Sequence, residues 1–519
     1  MLFNSLEFIF LFLPITLAGF FMLGRIRQDF AAAWLAIASL IFYAWWSPLY
    51  VALLLASIVC NYFFGLRISH DNRRRQFWLV VAVAANLMAL CYFKYANFFV
   101  DNARILLGLD WHIANIVLPL GISFFTFTQI AFLVDTYQGK ASEYNPIHYV
   151  LFVTYFPHLI AGPVLHHKQM MPQFAQPETY RISNANIAIG LTIFAIGLFK
   201  KVVLADGVAV YATPIFAAAE YGKTLTMIEA WGGALCYTFQ LYFDFSGYSD
   251  MAIGLSRLFN IKLPLNFDSP YKATNIIEFW RRWHMTLSEF LRDYLYIALG
   301  GNRHGAVRRY INLAITMLLG GLWHGAGWTF VIWGALHGFY LVINHFWRAI
   351  LPRRIVAKPS TLLGRSMGIV VTFVAVVIGW VFFRAANFST ALSILQSMLG
   401  INGIMLPGAL AGFVNVEWHS ALANLGVSFG DVGSLFKRPN GPLWILGSLA
   451  FVWLLPNTQE LLRNYEPAWN PVRSTNSDSR SCSMLAWKPH GYWALATGVI
   501  LAWGVLGISR VSEFLYFQF

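Results

Sequence analysis

The stretch "MLLGGLWHGAGWTF", residues 317 to 330, sets His324 in a run of Met, Leu, Trp, Phe and Gly. An imidazole changes charge near neutral pH and can take a proton from an alcohol or a thiol, the step that acyl transfer requires. Gly320, Gly321, Gly325 and Gly327 strip side-chain bulk from its surroundings, which leaves room for a backbone or a thin acyl chain. A histidine hydrogen-bonded to a neighbouring helix is the plainer reading, and the residues alone leave both open. His337, in "ALHGFY", falls on another face of a continuous helix and reads as structural.

A second group is "EFWRRWH", residues 278–284. Glu278 and Arg282 stand at i,i+4 and can pair, while Arg281 and His284 stand at i,i+3. Arg292, Arg303, Arg308 and Arg309 follow closely. Guanidinium groups in that number suit a phosphorylated ligand, which arginine grips through paired hydrogen bonds. Ordinary anchoring to lipid headgroups accounts for them equally well. In "QLYFDFSGYSDMAIG" two carboxylates, Asp244 and Asp250, interrupt an apolar span. A carboxylate can orient an imidazole, but "GYSDM" is no nucleophile elbow, and structural hydrogen bonding is the simpler expectation. The terminal "SEFLYFQF" is aromatic enough to anchor at an interface, or to bring the Tyr516 hydroxyl into a cavity. His158, His166 and His167 match no metal-ligand spacing, and no metal site is expected.

The elements that must hold these groups belong to a membrane protein. Of 519 residues, 58% are hydrophobic and 11% charged, and the mean hydropathy is +0.58. Soluble domains carry about 25% charged residues. The four cysteines form no C-x-x-C pair, so neither a disulfide framework nor a zinc site is expected. The net charge of +13 reads as basic flanks that set orientation by the positive-inside rule, not as a nucleic-acid surface. Arg67 with Arg73–Arg75, Lys200 with Lys201, and Arg348, Arg353, Arg354, Lys358 and Arg365 mark cytoplasmic loops on that rule. The first segment reads as a span with its N-terminus outside, not as a cleaved signal.

Apolar runs predict spans near 6–24, 31–47, 50–65, 77–93, 115–134, 148–165, 184–204, 228–256, 310–323, 327–347, 366–384, 440–456 and 491–509. The expected fold is all-α: a polytopic transmembrane bundle of roughly 11–13 spans with re-entrant or interfacial helices. Residues 275–300 have helical periodicity but too much charge to face lipid, so they lie at the interface or dip inward. The whole chain, 1–519, reads as one integral-membrane domain with a core at about 90–350. Polar loops are expected at 401–439 and 465–489, and an aromatic tail at 513–519.

Taken together, "GGLWHGAGWTFVIWGALHG", "YFDFSGYSDMAIG", "EFWRRWHMTLSEFLRDYLYIALGGNR" and "FPHLIAGPV" resemble the membrane-bound O-acyltransferase family, in particular its bacterial alginate O-acetyltransferase branch. "YFKYANFF" and "FYAWW" fit the same branch. The likeness runs from residue 1 to about 400 and resumes in the last six residues. It implies an acetyltransferase of the bacterial inner membrane that takes acetyl groups from a cytoplasmic donor, acetyl-CoA, and delivers them to the periplasmic side for an exopolysaccharide such as alginate or cellulose. It implies that His324 is the catalytic histidine, that His284 belongs to a second characteristic histidine motif, and that Tyr516 relays the acyl group. Arg281, Arg282, Trp283 and Arg292 become the donor-binding residues, with no permanently bound cofactor. Periplasmic polysaccharide O-acetyltransferases and membrane lipid become the partners, and nucleic acid none. The rivals are transfer of D-alanine to teichoic acid and a transporter or flippase whose buried His and Asp relay protons.

Overall fold

A backbone in hydrocarbon must satisfy its own N–H and C=O groups, and the apolar runs of this chain do so as helices. The computed structural model describes residues 1–108, 116–143, 145–350, 361–430, 440–469, 486–508 and 515. Tyr516, the rest of the tail except Leu515, Arg353, Arg354, Lys358 and most of 465–489 lie outside them. Among the described residues, five helical stretches are long and apolar enough to cross a membrane: Pro48–His70, Arg75–Leu107, Asn184–Glu220, Trp328–Ile350 and Leu362–Arg384. Shorter apolar helices cover Phe8–Gly24, Gln28–Ala44, Gly441–Leu454 and Gly491–Gly507. The protein is a multi-pass helical membrane protein.

The longest single α-helix, Met227–Leu258, is buried over most of its length and starts on a capping box between Thr226 and Glu229. The helices Phe8–Gly24, Gln28–Ala44, Pro48–His70 and the one from Arg75 follow one another through short turns and pack in succession, so alternate turns fall at opposite ends. Arg25, Arg27, Arg73 and Arg74 belong to the turns of one end, and Arg75 beside them stacks on Tyr137, 4.6 Å from its ring centre. Trp46 and the 116–121 segment lie at the other, where Tyr43 and Tyr50 donate to the carbonyls of Leu120 (2.9 Å) and Val117 (3.0 Å). These are the basic end and the far end below.

Several expectations need correction. Residues 148–165 are no span: Pro146–Thr154 gives way to the short helix Phe156–Leu159 and then to irregular chain, nearly all of it buried. The stretch 401–439 is more than loop, since Ile404–Pro407 pairs in parallel with Val427–Gly430 and Val416–Asn424 is helical. Lys200 and Lys201 do not flank a loop. They sit in a π-helical turn, Lys200–Ala205, inside the bundle, where Lys200 meets Asp250 at 2.6 Å and Lys201 meets Asp244 at 2.6 Å and Asp206 at 3.0 Å. Thr458 adds a hydroxyl between Lys200 and Asp250. Asp244 and Asp250 thus pair with buried lysines.

The helix Gly305–His324 and its successor Trp328–Ile350 approach each other through glycine. A Cβ on Gly334 would overlap the carbonyl oxygen of Met317, and one on Gly321 that of Phe330. Gly334→Ala is therefore expected to lower stability by about 1–3 kcal/mol by forcing these helices apart. A fall in the thermal midpoint in detergent, with a matching loss of turnover, checks it.

Candidate active site

The helix Gly305–His324 begins at the basic end, beside Arg303, and runs to His324, its last residue; Gly325 leaves it in extended backbone. The chain breaks at 325–327 and returns as Trp328–Ile350. His324 is 8% exposed. Its ring is walled by the edges and faces of Trp323 (4.9 Å between centroids), Trp333 (5.1 Å) and Phe383 (5.2 Å). Two cavities touch it. One, of about 70 Å³, faces the far end and is bounded by Trp46, Lys94, Pro119, Gly121 and Ser123. The other, of about 20 Å³, lies against the central helix and is bounded by Asp244, Phe245, Trp283, Trp380 and Leu515. His324 lines both. A larger void of about 190 Å³, between Thr192, Tyr242 and Trp493, touches no histidine. The smaller pair matters more, because there an imidazole reaches the wall.

His284 comes next to it. The periodicity of 275–300 suggests one helix, but the chain breaks it into Ile276–Trp280, a turn, Met285–Phe290 and the π turn Leu291–Tyr296. His284 occupies the break with left-handed backbone, φ 44°. The Met285 N–H holds that turn by donating to the Asn266 carbonyl at 3.0 Å. The His284 ring is fully buried, 6.4 Å from the His324 ring, and its Nδ1 lies 3.2 Å from Asn266 Oδ1. That oxygen also accepts from the Thr286 N–H (3.3 Å) and hydroxyl (3.0 Å). A carbonyl oxygen only accepts, so His284 carries its proton on Nδ1 and presents a bare lone pair on Nε2. Among the described residues Nε2 has no hydrogen-bond partner. Asn266→Ala would strand three donors, and a loss of about 1–3 kcal/mol is expected. Thermal unfolding of the detergent-solubilised protein measures it.

The arginine group behaves unevenly. Arg282 reaches Glu278 at 2.9 Å, as its i,i+4 spacing allows, and also donates to the Asp268 carbonyl at 3.1 Å. Burial alone would raise the Glu278 carboxyl, but the Thr274 N–H and hydroxyl and the Arg282 guanidinium outweigh it and hold it below the usual range. Arg281 and Arg292 are exposed, and Arg292 pairs with its neighbour Asp293 at 2.7 Å. Trp283 is buried, stacks on Phe279 and joins the wall of the second cavity. His337 lies on the return helix, fully buried, with its ring 4.8 Å from Trp333. Because the helix breaks at 325–327, it comes back to the same aromatic wall as His324. Sequence reasoning missed Lys94, Asn266, Trp333, Trp380 and Phe383. Only Lys94 carried a signal, a lysine at the edge of an apolar run.

Residues 75–388 match the family model described as MBOAT, membrane-bound O-acyltransferase family. The chain belongs to that family. The matched stretch holds every described residue named above around His324 except Trp46 and Leu515. The protein is therefore an O-acyltransferase, which removes the transporter alternative. It is 46% identical to a peptidoglycan O-acetyltransferase of Helicobacter pylori, over 78% of this chain and 81% of that one. It is 40% identical to a probable alginate O-acetylase, AlgI, of Pseudomonas aeruginosa over 100% of both chains. A teichoic acid D-alanyltransferase of Streptococcus thermophilus is 29% identical over 51% of this chain and 68% of its own.

Proposed function

We propose that the protein is an inner-membrane acetyltransferase that takes acetyl groups from cytoplasmic acetyl-CoA for O-acetylation of a polysaccharide beyond the membrane, with His324 as general base. The observation that carries this is the position of His324, a buried imidazole shared by two cavities that face different parts of the molecule. A thioester arm entering on one side and a hydroxyl on the other would meet at its ring. His324 takes the hydroxyl proton, the hydroxyl oxygen bonds to the acyl carbon, the carbon–sulfur bond breaks, and the thiolate leaves with the proton. Aromatic walls keep water from competing.

The basic end takes the cytoplasmic side by the positive-inside rule. There Arg281 and Arg292 meet the phosphates of the donor, Arg282 holds the 278–284 turn through Glu278 and Asp268, and Trp283 shapes the passage for the acyl arm. His284, with its Nε2 lone pair toward the interior, assists the proton transfer. Tyr516 relays the acetyl group toward a periplasmic transferase partner; its neighbour Leu515 lining the His324 cavity supports a tail that reaches the site. Acetyl is preferred to D-alanyl because the O-acetyl relatives are more alike over more of the chain.

The test is label transfer in detergent. Purified protein given radiolabelled acetyl-CoA should release or bind acetyl, and Tyr516→Phe should lose the protein-bound fraction. Turnover of a D-alanylated carrier protein with none of acetyl-CoA would overturn the donor.

A further inference from the structure

Lys94 lies in a π-helical turn, Cys91–Tyr95, within the helical stretch Arg75–Leu107, at the end of its apolar run. Turns of this kind re-aim side chains and recur at functional sites. Here two neighbouring side chains are aimed at one helix end. The Lys94 ammonium donates to the carbonyl of Trp323, to that of His324 at 3.3 Å and to the Ser123 hydroxyl at 3.3 Å. The Tyr95 hydroxyl donates to the Leu322 carbonyl at 2.8 Å. Three consecutive carbonyls, those of residues 322 to 324, are thereby capped from a segment more than 200 residues away in sequence. They are among the last four of their helix, which have no partner within it, and a cation favours that end of the helix dipole.

The cap is unusual in its charge. Lys94's three partners are neutral oxygens, so dipoles offset its charge and no counter-ion among them does. A cation held by neutral oxygens within a membrane-protein bundle is costly and is a functional candidate for that reason. It shares the wall of the 70 Å³ cavity with His324 and Ser123. All three ammonium hydrogens are engaged, so Lys94 acts through position and field, not through a bond to substrate.

We infer that Lys94 is a positioning residue of the acyl transfer: it fixes the helix end that carries His324 and holds a positive charge at the cavity where the tetrahedral intermediate turns negative. The inference rests on His324 being the base. When the acceptor oxygen bonds to the acyl carbon and its proton passes to His324, the carbonyl electron pair moves onto the acyl oxygen. In its ammonium form Lys94 stabilises that oxygen from the cavity wall before the carbon–sulfur bond breaks.

Kinetics on the full-length protein in detergent test this, with acetyl-CoA as donor. Lys94→Met should lower kcat by about 100-fold, the scale of losing one preorganised electrostatic group. The KM for acetyl-CoA should move less than about 3-fold, because the group acts in the transition state. Lys94→Arg, which keeps charge and donors, should retain at least roughly a third of kcat. Lys94→Met turning over within about 2-fold of wild type, or raising KM alone, overturns the inference. Should that variant fail to fold, Lys94→Gln keeps amide donors for the carbonyls without the charge. It is expected to lose about 10-fold in kcat, and unchanged turnover overturns the inference again. His324→Ala is assayed alongside. If it stays active, the base reading has failed; if it is inactive while the Lys94 variants are normal, only the present inference has.

Discussion

His324→Ala is expected to lower acyl transfer by about 10³-fold while leaving the protein folded. General-base catalysis contributes about 10²–10⁴-fold, and 10³ corresponds to about 4 kcal/mol of activation free energy. The imidazole's neighbours are aromatic rings, and it already borders two cavities, so truncation enlarges existing space more than it breaks packing. The thermal midpoint in detergent should accordingly change little. A histidine kept for structure would give the opposite pattern, with lost stability and a kcat that follows the folded fraction. His324→Gln, which fills similar space without a titrating nitrogen, should be as inactive as the alanine variant. Initial rates and melting curves on the same preparations separate the two cases.

The second large effect concerns stability. Lys201→Met is expected to destabilise the bundle by about 3–5 kcal/mol, the usual cost of breaking a buried ion pair from one side. Lys201 is 1% exposed and sits between Asp244 and Asp206 at 2.6 and 3.0 Å. Removing the ammonium leaves two carboxylates inside a membrane protein with their charge uncompensated. Pairing it with Asp244→Asn removes one of them and should recover part of the loss, since replacing both partners is far less costly than orphaning one. Denaturant or thermal unfolding of the single and double variants reads this directly. Asp244 also lines the cavity at His324, so the single variant should lose turnover along with stability.

Much of this architecture is visible in the sequence, for identifiable reasons. Helices form over most of the long apolar runs, because hydrocarbon leaves the backbone no other solution, while 148–165, interrupted by Pro157 and Pro163, departs from that pattern inside the protein. His324 stands out because an ionisable group in such a run is costly, and the Glu278–Arg282 pair because its members are one helical turn apart. What stays hidden depends on distant partners. Lys200 and Lys201 look like a basic flank until Asp206, Asp244 and Asp250 are seen around them. The helical period of 275–300 continues through a turn held by distant residues, since Asp268 binds Arg282 and the carbonyl and side chain of Asn266 hold the left-handed His284. Lys94 is legible as an oddity, but not as the cap of a helix end beyond residue 320. His337 seems to face away from His324 on a continuous helix, and the break at 325–327 brings it back. The reading of Tyr516 as a relay still rests on the family resemblance and on Leu515 at the cavity.

The most direct test of the central claim uses proteoliposomes loaded with radiolabelled acetyl-CoA, with the label followed to the outer medium or an outer acceptor. Wild type should export acetyl in a donor-dependent way and His324→Ala should not, although both reconstitute equally. Equal export by both proteins would contradict the assignment of His324 as the base at the junction of the two cavities.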